Sequence, residues 1–184
     1  MDVMPFDEIN RLENELPIYF ENGRIRSRRD YEDIIDEMLD LFLLSYANGV
    51  EMTNLSLGGD YQPTADEVME TVEEKIDGKT WQDRMLEHFE NGGTIADVVR
   101  IIETESHRDA NAAAYRTAVK NGATQKTWQT MMDDRVRDTH QYLQGVTAPI
   151  DGEFYSFKGG STKYPGQWGI AEEDCNCRCY LTYS

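Results

Sequence analysis

Apolar residues recur every three or four positions through the first 120 residues, the period of helices with one buried face. Tyr31, Ile34, Ile35, Met38, Leu41, Phe42 and Tyr46 trace one such face. They predict a helix over about 28–48, with Ser27 as its N-cap and Asn48-Gly49 as its stop. Leu39, Leu43 and Leu44 widen the face, so this helix should pack on two sides. A shorter helix is expected over 6–15, halted near Pro17. Residues 50–63, with Gly58-Gly59 and Pro63, read as a linker. Three capping boxes follow, Thr64-x-x-Glu67, Thr80-x-x-Asp83 and Thr94-x-x-Asp97, and open helices over about 64–77, 80–91 and 95–120. The last is amphipathic through Ile95, Val98, Val99 and Ile102, then turns to small residues at Ala110, Ala112, Ala113, Ala114 and Ala118. Small side chains there permit close approach of another element. Glu103, Glu105, His107 and Arg108 are expected at its surface, and His88 at the surface of the preceding helix.

Beyond Gly122 the period changes to two. Thr124, Lys126, Trp128 and Thr130 alternate with Gln125, Thr127 and Gln129, which predicts a strand. Asp133 or Asp134 then stands as N-cap to a helix over about 135–143 that turns Val136, His140 and Leu143 inward, with Gly145 just past its end. Residues 144–174 are loop-rich, with a short strand at 154–157 and turns at 158–160 and Pro165-Gly166. Cys175, Cys177, Cys179, Leu181 and Tyr183 alternate with Asn176, Arg178, Tyr180 and Thr182, and predict a strand with a buried cysteine face. Arg178 and Asn176 need polar partners, for which Asp133, Asp134 and Asp138 are the candidates. The fold class is α+β: a helical N-terminal half, residues 1–93, and a small α+β domain, residues 94–184, with short strands and a short helix.

The net charge of −17 sharpens this division. Residues 111–184 carry eight basic and eight acidic side chains, so the whole acidic excess lies in 1–110. Such a surface repels nucleic acid and suits a basic protein partner. The one basic cluster is Arg24, Arg26, Arg28 and Arg29. Arg28 and Arg29 fall in the first turn of a helix, where positive charge opposes the dipole. They could meet DNA phosphate or an acidic protein surface; ordinary pairing with Asp30, Asp33 or Glu21 is the preferred reading. The longest apolar run, Leu41 to Leu44, is far short of the ~20 residues of a membrane helix, so no membrane span is expected. Three clustered cysteines do not form a secreted disulfide framework, and folding in a reducing cytoplasm is expected.

His140, Cys177 and Cys179 are zinc-type residues. Successive same-face positions of a strand, however, lie roughly 6.6 Å apart, too wide for two zinc thiolates, and no second Cys pair is present. The preferred reading is therefore core cysteines and no cofactor. An enzyme reading would pair His140 with Asp134 or Asp138 as a base and use a nearby cysteine as nucleophile. No phosphate-binding loop or nucleophile elbow accompanies it, and no catalytic residue is assigned.

The order Thr127-Trp128, Asp134-x-Arg135-Val-Arg137-x-x-His140-x-x-Leu143-x-Gly145, Tyr164-Pro165-Gly166 and Asn176-Cys177-Arg178-Cys179 resembles the phage Mu protein F-like family of minor head proteins. Thr104-Glu105-Ser106, Asn111 and Asn121-Gly122 resemble the helix that leads into that motif, and the likeness covers about residues 94–183. The chain departs from the family pattern at Glu103, at Gln144 and at Cys175. The resemblance implies a structural, non-enzymatic protein of phage or prophage heads. It would associate with the portal or major capsid protein and serve head morphogenesis and DNA packaging or ejection, first in the host cytoplasm and then in the virion head. It makes Trp128, Asp134, Arg135, Arg137, His140, Gly145, Asn176, Cys177, Arg178 and Cys179 the structural core of the motif. The alternative is a metal- or thiol-dependent, hydrolase- or toxin-like effector carried in the particle.

Overall fold

The computed structural model describes residues 5–184. Its helical half is built on α2 (Arg28–Leu57) and α5 (Ile95–Lys120), which pack along much of their lengths. α1 (Phe6–Glu15), α3 (Ala65–Val72) and α4 (Trp81–Asn91) cover them, and a two-stranded ribbon, β1 (Phe20–Glu21) with β2 (Arg24–Ile25), precedes α2. Ile34, Met38 and Phe42 meet Leu12, Leu16, Trp81, Met85, Val98 and Ile102 in one core. Phe42 sits edge-on to Trp81 with ring centroids 5.0 Å apart.

The helix starts follow from local chemistry. At Thr64 and Thr80 the threonine hydroxyl accepts the N–H of Glu67 or Asp83, and that residue's carboxylate accepts the threonine N–H in return. The N–H of Thr94 donates to Asp97 at 2.9 Å. Ser27 accepts from the Asp30 N–H, as expected.

Other expectations give way to tertiary structure. α2 does not stop at Gly49 but continues to Leu57 and ends at Gly58, whose φ of +68° is the left-handed cap. Ser45, Tyr46, Gly49, Val50, Thr53 and Asn54 are buried, so the inward stripe continues past the glycine. At Gly49 α2 crosses α5 so closely that a Cβ would lie 2.3 Å from the Ala110 carbonyl oxygen. The glycine is therefore a contact point of two helices and not a terminator. α3 ends at Val72, earlier than expected. His88 is half-buried, not exposed.

The surface assignment for α5 fails at three of four positions. Glu103 is exposed, but Glu105, His107 and Arg108 are buried. Arg108 reaches Glu105 at 2.8 Å, Asp109 at 3.1 Å and Glu74 at 3.1 Å, so its charge is balanced inside the protein. Burial pushes the Asp109 carboxyl well above the usual carboxylate range. α5 serves two cores at once, giving Ile101 and Ile102 to the helical one and Ala112 to a second one formed by the C-terminal residues, which explains why one stretch of it has no exposed face.

That second core rests on a three-stranded antiparallel sheet with β3 (Gln125–Gln129) between β4 (Thr147–Pro149) and β7 (Tyr180–Tyr183). Trp128 pairs with Leu181 and Lys126 with Tyr183. Lys126 and Trp128 share the buried face, and the Lys126 ammonium lies 4.6 Å from the centre of the Tyr115 ring. A small hairpin, β5 (Phe154–Tyr155) with β6 (Ser161–Thr162), and two short helices, α6 (Asp138–Gln141) and α7 (Ala171–Asp174), complete this half. Among the described residues, no helix is long and apolar enough to cross a membrane.

Candidate functional site: a buried histidine and cysteine pair

The expected helix over 135–143 is only α6, capped at Arg137, and the expected strand over 175–183 begins only at Tyr180. Both segments are shortened because their backbone groups are bonded elsewhere. The Cys177 N–H donates to the Asp174 carbonyl at 3.2 Å, and the Asn176 N–H to the Thr104 hydroxyl at 3.3 Å. Asn176 takes a left-handed φ of +55°, which turns the chain between Cys175 and Cys177. Residues 177–179 also lie outside the strand, so Cys177 and Cys179 do not follow its even spacing. Cys177 and Cys179 both fold onto His140, each sulfur 3.6 Å from Nδ1.

The ring of His140 is fixed on all sides. Trp168 stacks on it with centroids 5.8 Å apart and 20° between planes, and Trp128 meets it edge-on at 5.6 Å. Nε2 lies 3.0 Å from Glu173 Oε2. Glu173 also accepts from Thr139 Oγ1 at 2.7 Å and from Ser156 Oγ at 3.1 Å. Sequence reasoning offered Asp134 or Asp138 as the partner of His140; the partner is Glu173, which is fully buried. Nothing in the run Glu172-Glu173-Asp174 singles it out, since acidic residues are mostly exposed. Asp174, beside it, accepts the N–H groups of Trp168 and Gly169 and thereby holds the loop that carries Trp168. Burial raises the Asp174 carboxyl to about 6.

The two thiols differ. Cys177, whose thiol hydrogen-bonds to Cys179 and is buried, is pushed well up, whereas Cys179, which accepts that hydrogen bond, is held below its ordinary range. His107, on α5 behind them, is lowered to about 4 by burial and then by the charge of Arg178.

Of the expected motif core, Trp128, His140, Cys177 and Cys179 are buried, Arg137 and Arg178 are half-buried, and Asp134, Arg135, Gly145 and Asn176 lie at the surface. Arg178 makes a bidentate pair with Asp133 at 2.6 and 2.7 Å, one of the partners the sequence suggested. Arg137 donates to the Cys175 carbonyl. Met131, Arg135, Arg137, Asn176 and Arg178 surround a small cleft whose floor is His140 and Cys179. The Pro165-Gly166 turn packs on α5: Gly166 has a φ of +88°, and a Cβ there would lie 3.1 Å from the Arg108 Cα. In the N-terminal basic cluster, Arg26, Arg28 and Arg29 each pair with the acid four residues on, Asp30, Glu32 and Asp33, at 2.6, 3.0 and 4.0 Å. Arg24 lies under Gly92.

A helical half joined through α5 to a small sheet, with Trp128 and a buried His-Cys-Cys cluster at its centre, defines an α+β protein with an inward-facing motif. The sequence matches the family described as Phage Mu protein F like protein over residues 62–182, and the chain belongs to that family. The match begins some way before the motif-bearing helix, within the helical half. The chain is 41% identical over 83 residues to Minor head protein GP7 of Bacillus phage SPP1, which covers 44% of this chain and 27% of that protein. It is 35% identical over 94 residues to NAD(+)--arginine ADP-ribosyltransferase EFV of Enterococcus faecalis (strain ATCC 700802 / V583), covering 49% of this chain and 19% of that protein. The matched segments thus span less than a third of either relative's length. No solved structure gives a significant match.

Proposed function

We propose that this chain is a structural component of a phage or prophage head, a minor head protein that joins the portal or capsid during head morphogenesis and DNA packaging or ejection. Its place is the host cytoplasm during assembly and the virion head afterwards. The likeness to Minor head protein GP7 supports this reading. So does the inward placement of the motif: Trp128, His140, Cys177 and Cys179 hold sheet, α6 and α5 together within one core. In this reading residues 94–184 form the head module, and the acidic residues of the helical half face a basic partner surface. The pairing of Arg26, Arg28 and Arg29 with acids of α2 favours protein over DNA as that partner.

A second reading, an effector enzyme, has one observation in its favour, the match to a protein named as an ADP-ribosyltransferase. That match takes up 19% of the transferase, which leaves most of that protein for its chemistry. The tagged chain, expressed in a host producing the phage, should co-purify with heads or with isolated portal at a few copies per particle. Its absence from purified heads and from portal would overturn the reading. Transfer of ADP-ribose from NAD to an arginine substrate by the purified chain, lost in His140→Ala, would establish the effector instead.

A further inference from the structure

We propose that His140 Nδ1, Cys177 Sγ and Cys179 Sγ form a binding site for a zinc ion. The expected strand spacing had argued against it, but Cys177 and Cys179 precede the strand, which begins only at Tyr180, so that spacing does not hold between them. The three ligand atoms lie within 4.8 Å of one another, and Nδ1 is 3.6 Å from each sulfur. Tetrahedral zinc, with Zn–S of about 2.3 Å and Zn–N of about 2.0–2.1 Å, requires a sulfur–nitrogen edge of about 3.6 Å. The two distances agree without any movement of the chain.

The surroundings point the same way. A histidine that binds zinc through one nitrogen donates the other N–H to a carboxylate, which sets its tautomer and orientation. Glu173 Oε2 stands 3.0 Å from Nε2, though out of line for a hydrogen bond in this geometry, and Nδ1 faces the two sulfurs. Glu173 is itself held by Thr139 and Ser156. The ring plane is clamped between Trp128 and Trp168. The backbone carrying the thiols is tied down as well: Asn111 donates to the Cys179 carbonyl at 3.2 Å, and the Cys177 N–H to Asp174. Soft thiolates with imidazole select zinc over hard cations. Two thiolates and a divalent ion sum to zero charge, which lowers the cost of burying the site. Among the described residues no further His, Cys, Asp or Glu joins these three. The fourth ligand is then a water or an anion, entering from the cleft lined by Arg135, Arg137 and Arg178.

Metal content of the full chain, purified under reductant without chelator, tests this directly. About one zinc per chain is expected. Cobalt exchanged into the site should give the visible bands of a tetrahedral ion and a thiolate-to-cobalt charge-transfer band. Zinc added to chelator-treated protein should raise its melting temperature. Cys179→Ser should lose the charge-transfer intensity of one sulfur. Glu173→Gln keeps one acceptor oxygen and offers its NH2 to the hydroxyl that loses one, Thr139 or Ser156, so it should still fold but bind zinc about 10–100-fold more weakly. A folded protein without stoichiometric zinc, whose melting zinc does not move and whose cobalt spectrum lacks the thiolate band, overturns the proposal. So does a Cys177–Cys179 disulfide that persists under reductant.

Discussion

Replacing Gly49 by alanine sets a local gain against a tertiary cost. In an open helix interior this change stabilises by about 1 kcal/mol, because alanine loses less backbone entropy. Gly49 is not in the open. A Cβ there would stand 2.3 Å from the Ala110 carbonyl oxygen and 2.9 Å from the Ala113 Cβ. Carbon and carbonyl oxygen ordinarily approach to about 3.3 Å, so the methyl group overlaps by about 1 Å. The oxygen belongs to the backbone of α5 and cannot swing aside, so the helices must part at their crossing. Ser45, Tyr46 and Val50, buried along the same stripe, would loosen with them. Overpacking of this kind costs about 1–3 kcal/mol, and a rigid backbone partner places it at the upper end. After the propensity gain, the net loss is about 2 kcal/mol, or a melting temperature lower by about 4–8 °C for a chain of this size. Thermal unfolding followed by circular dichroism reads this directly. Ala113→Gly removes the lesser contact and leaves the carbonyl, so the double variant should remain less stable than Ala113→Gly alone. If Gly49→Ala melts at or above the parent temperature, the close crossing does not explain this glycine.

Arg108→Leu should destabilise by about 3–5 kcal/mol in urea titration, because Asp109 would be left buried without a cation and Glu105 would keep only Arg84; a loss under about 1 kcal/mol would refute that account. His107 is held neutral at about 4, below the ordinary histidine value of about 6.5. The native state therefore binds fewer protons than the unfolded chain in that window, so stability should fall as pH drops from about 6.5 to 4, by up to about 3 kcal/mol from this group. His107→Gln should flatten that slope, and an unchanged slope would show that other groups set it. Thr80→Ala removes the hydroxyl that accepts the Asp83 N–H and should cost about 1 kcal/mol, with the fold retained by circular dichroism.

Much of the helical half was legible because its signals are short-range. A capping box joins residues three apart, so Thr64, Thr80 and Thr94 announce their helices wherever the rest of the chain goes. The apolar stripe of α2 and the alternation around Trp128 are likewise properties of a single segment, and they were read correctly. The Arg178–Asp133 pair was anticipated because a half-buried guanidinium demands a carboxylate and few were near.

The misreadings share one cause. A glycine at a helix end and a glycine at a helix crossing look alike in sequence, and only the approach of Ala110 makes Gly49 the second kind. Glu105, His107 and Arg108 sit on what looks like a polar face, but α5 is covered by the helical core on one side and the sheet on the other. The candidate site is the clearest case. The sequence determined its donor atoms, a histidine and two cysteines. It could not determine that both sulfurs would meet at His140, or that Glu173, 33 residues away in the chain, would close on the other nitrogen. Contacts between residues so far apart depend on how whole elements pack, and the tertiary structure alone decides that.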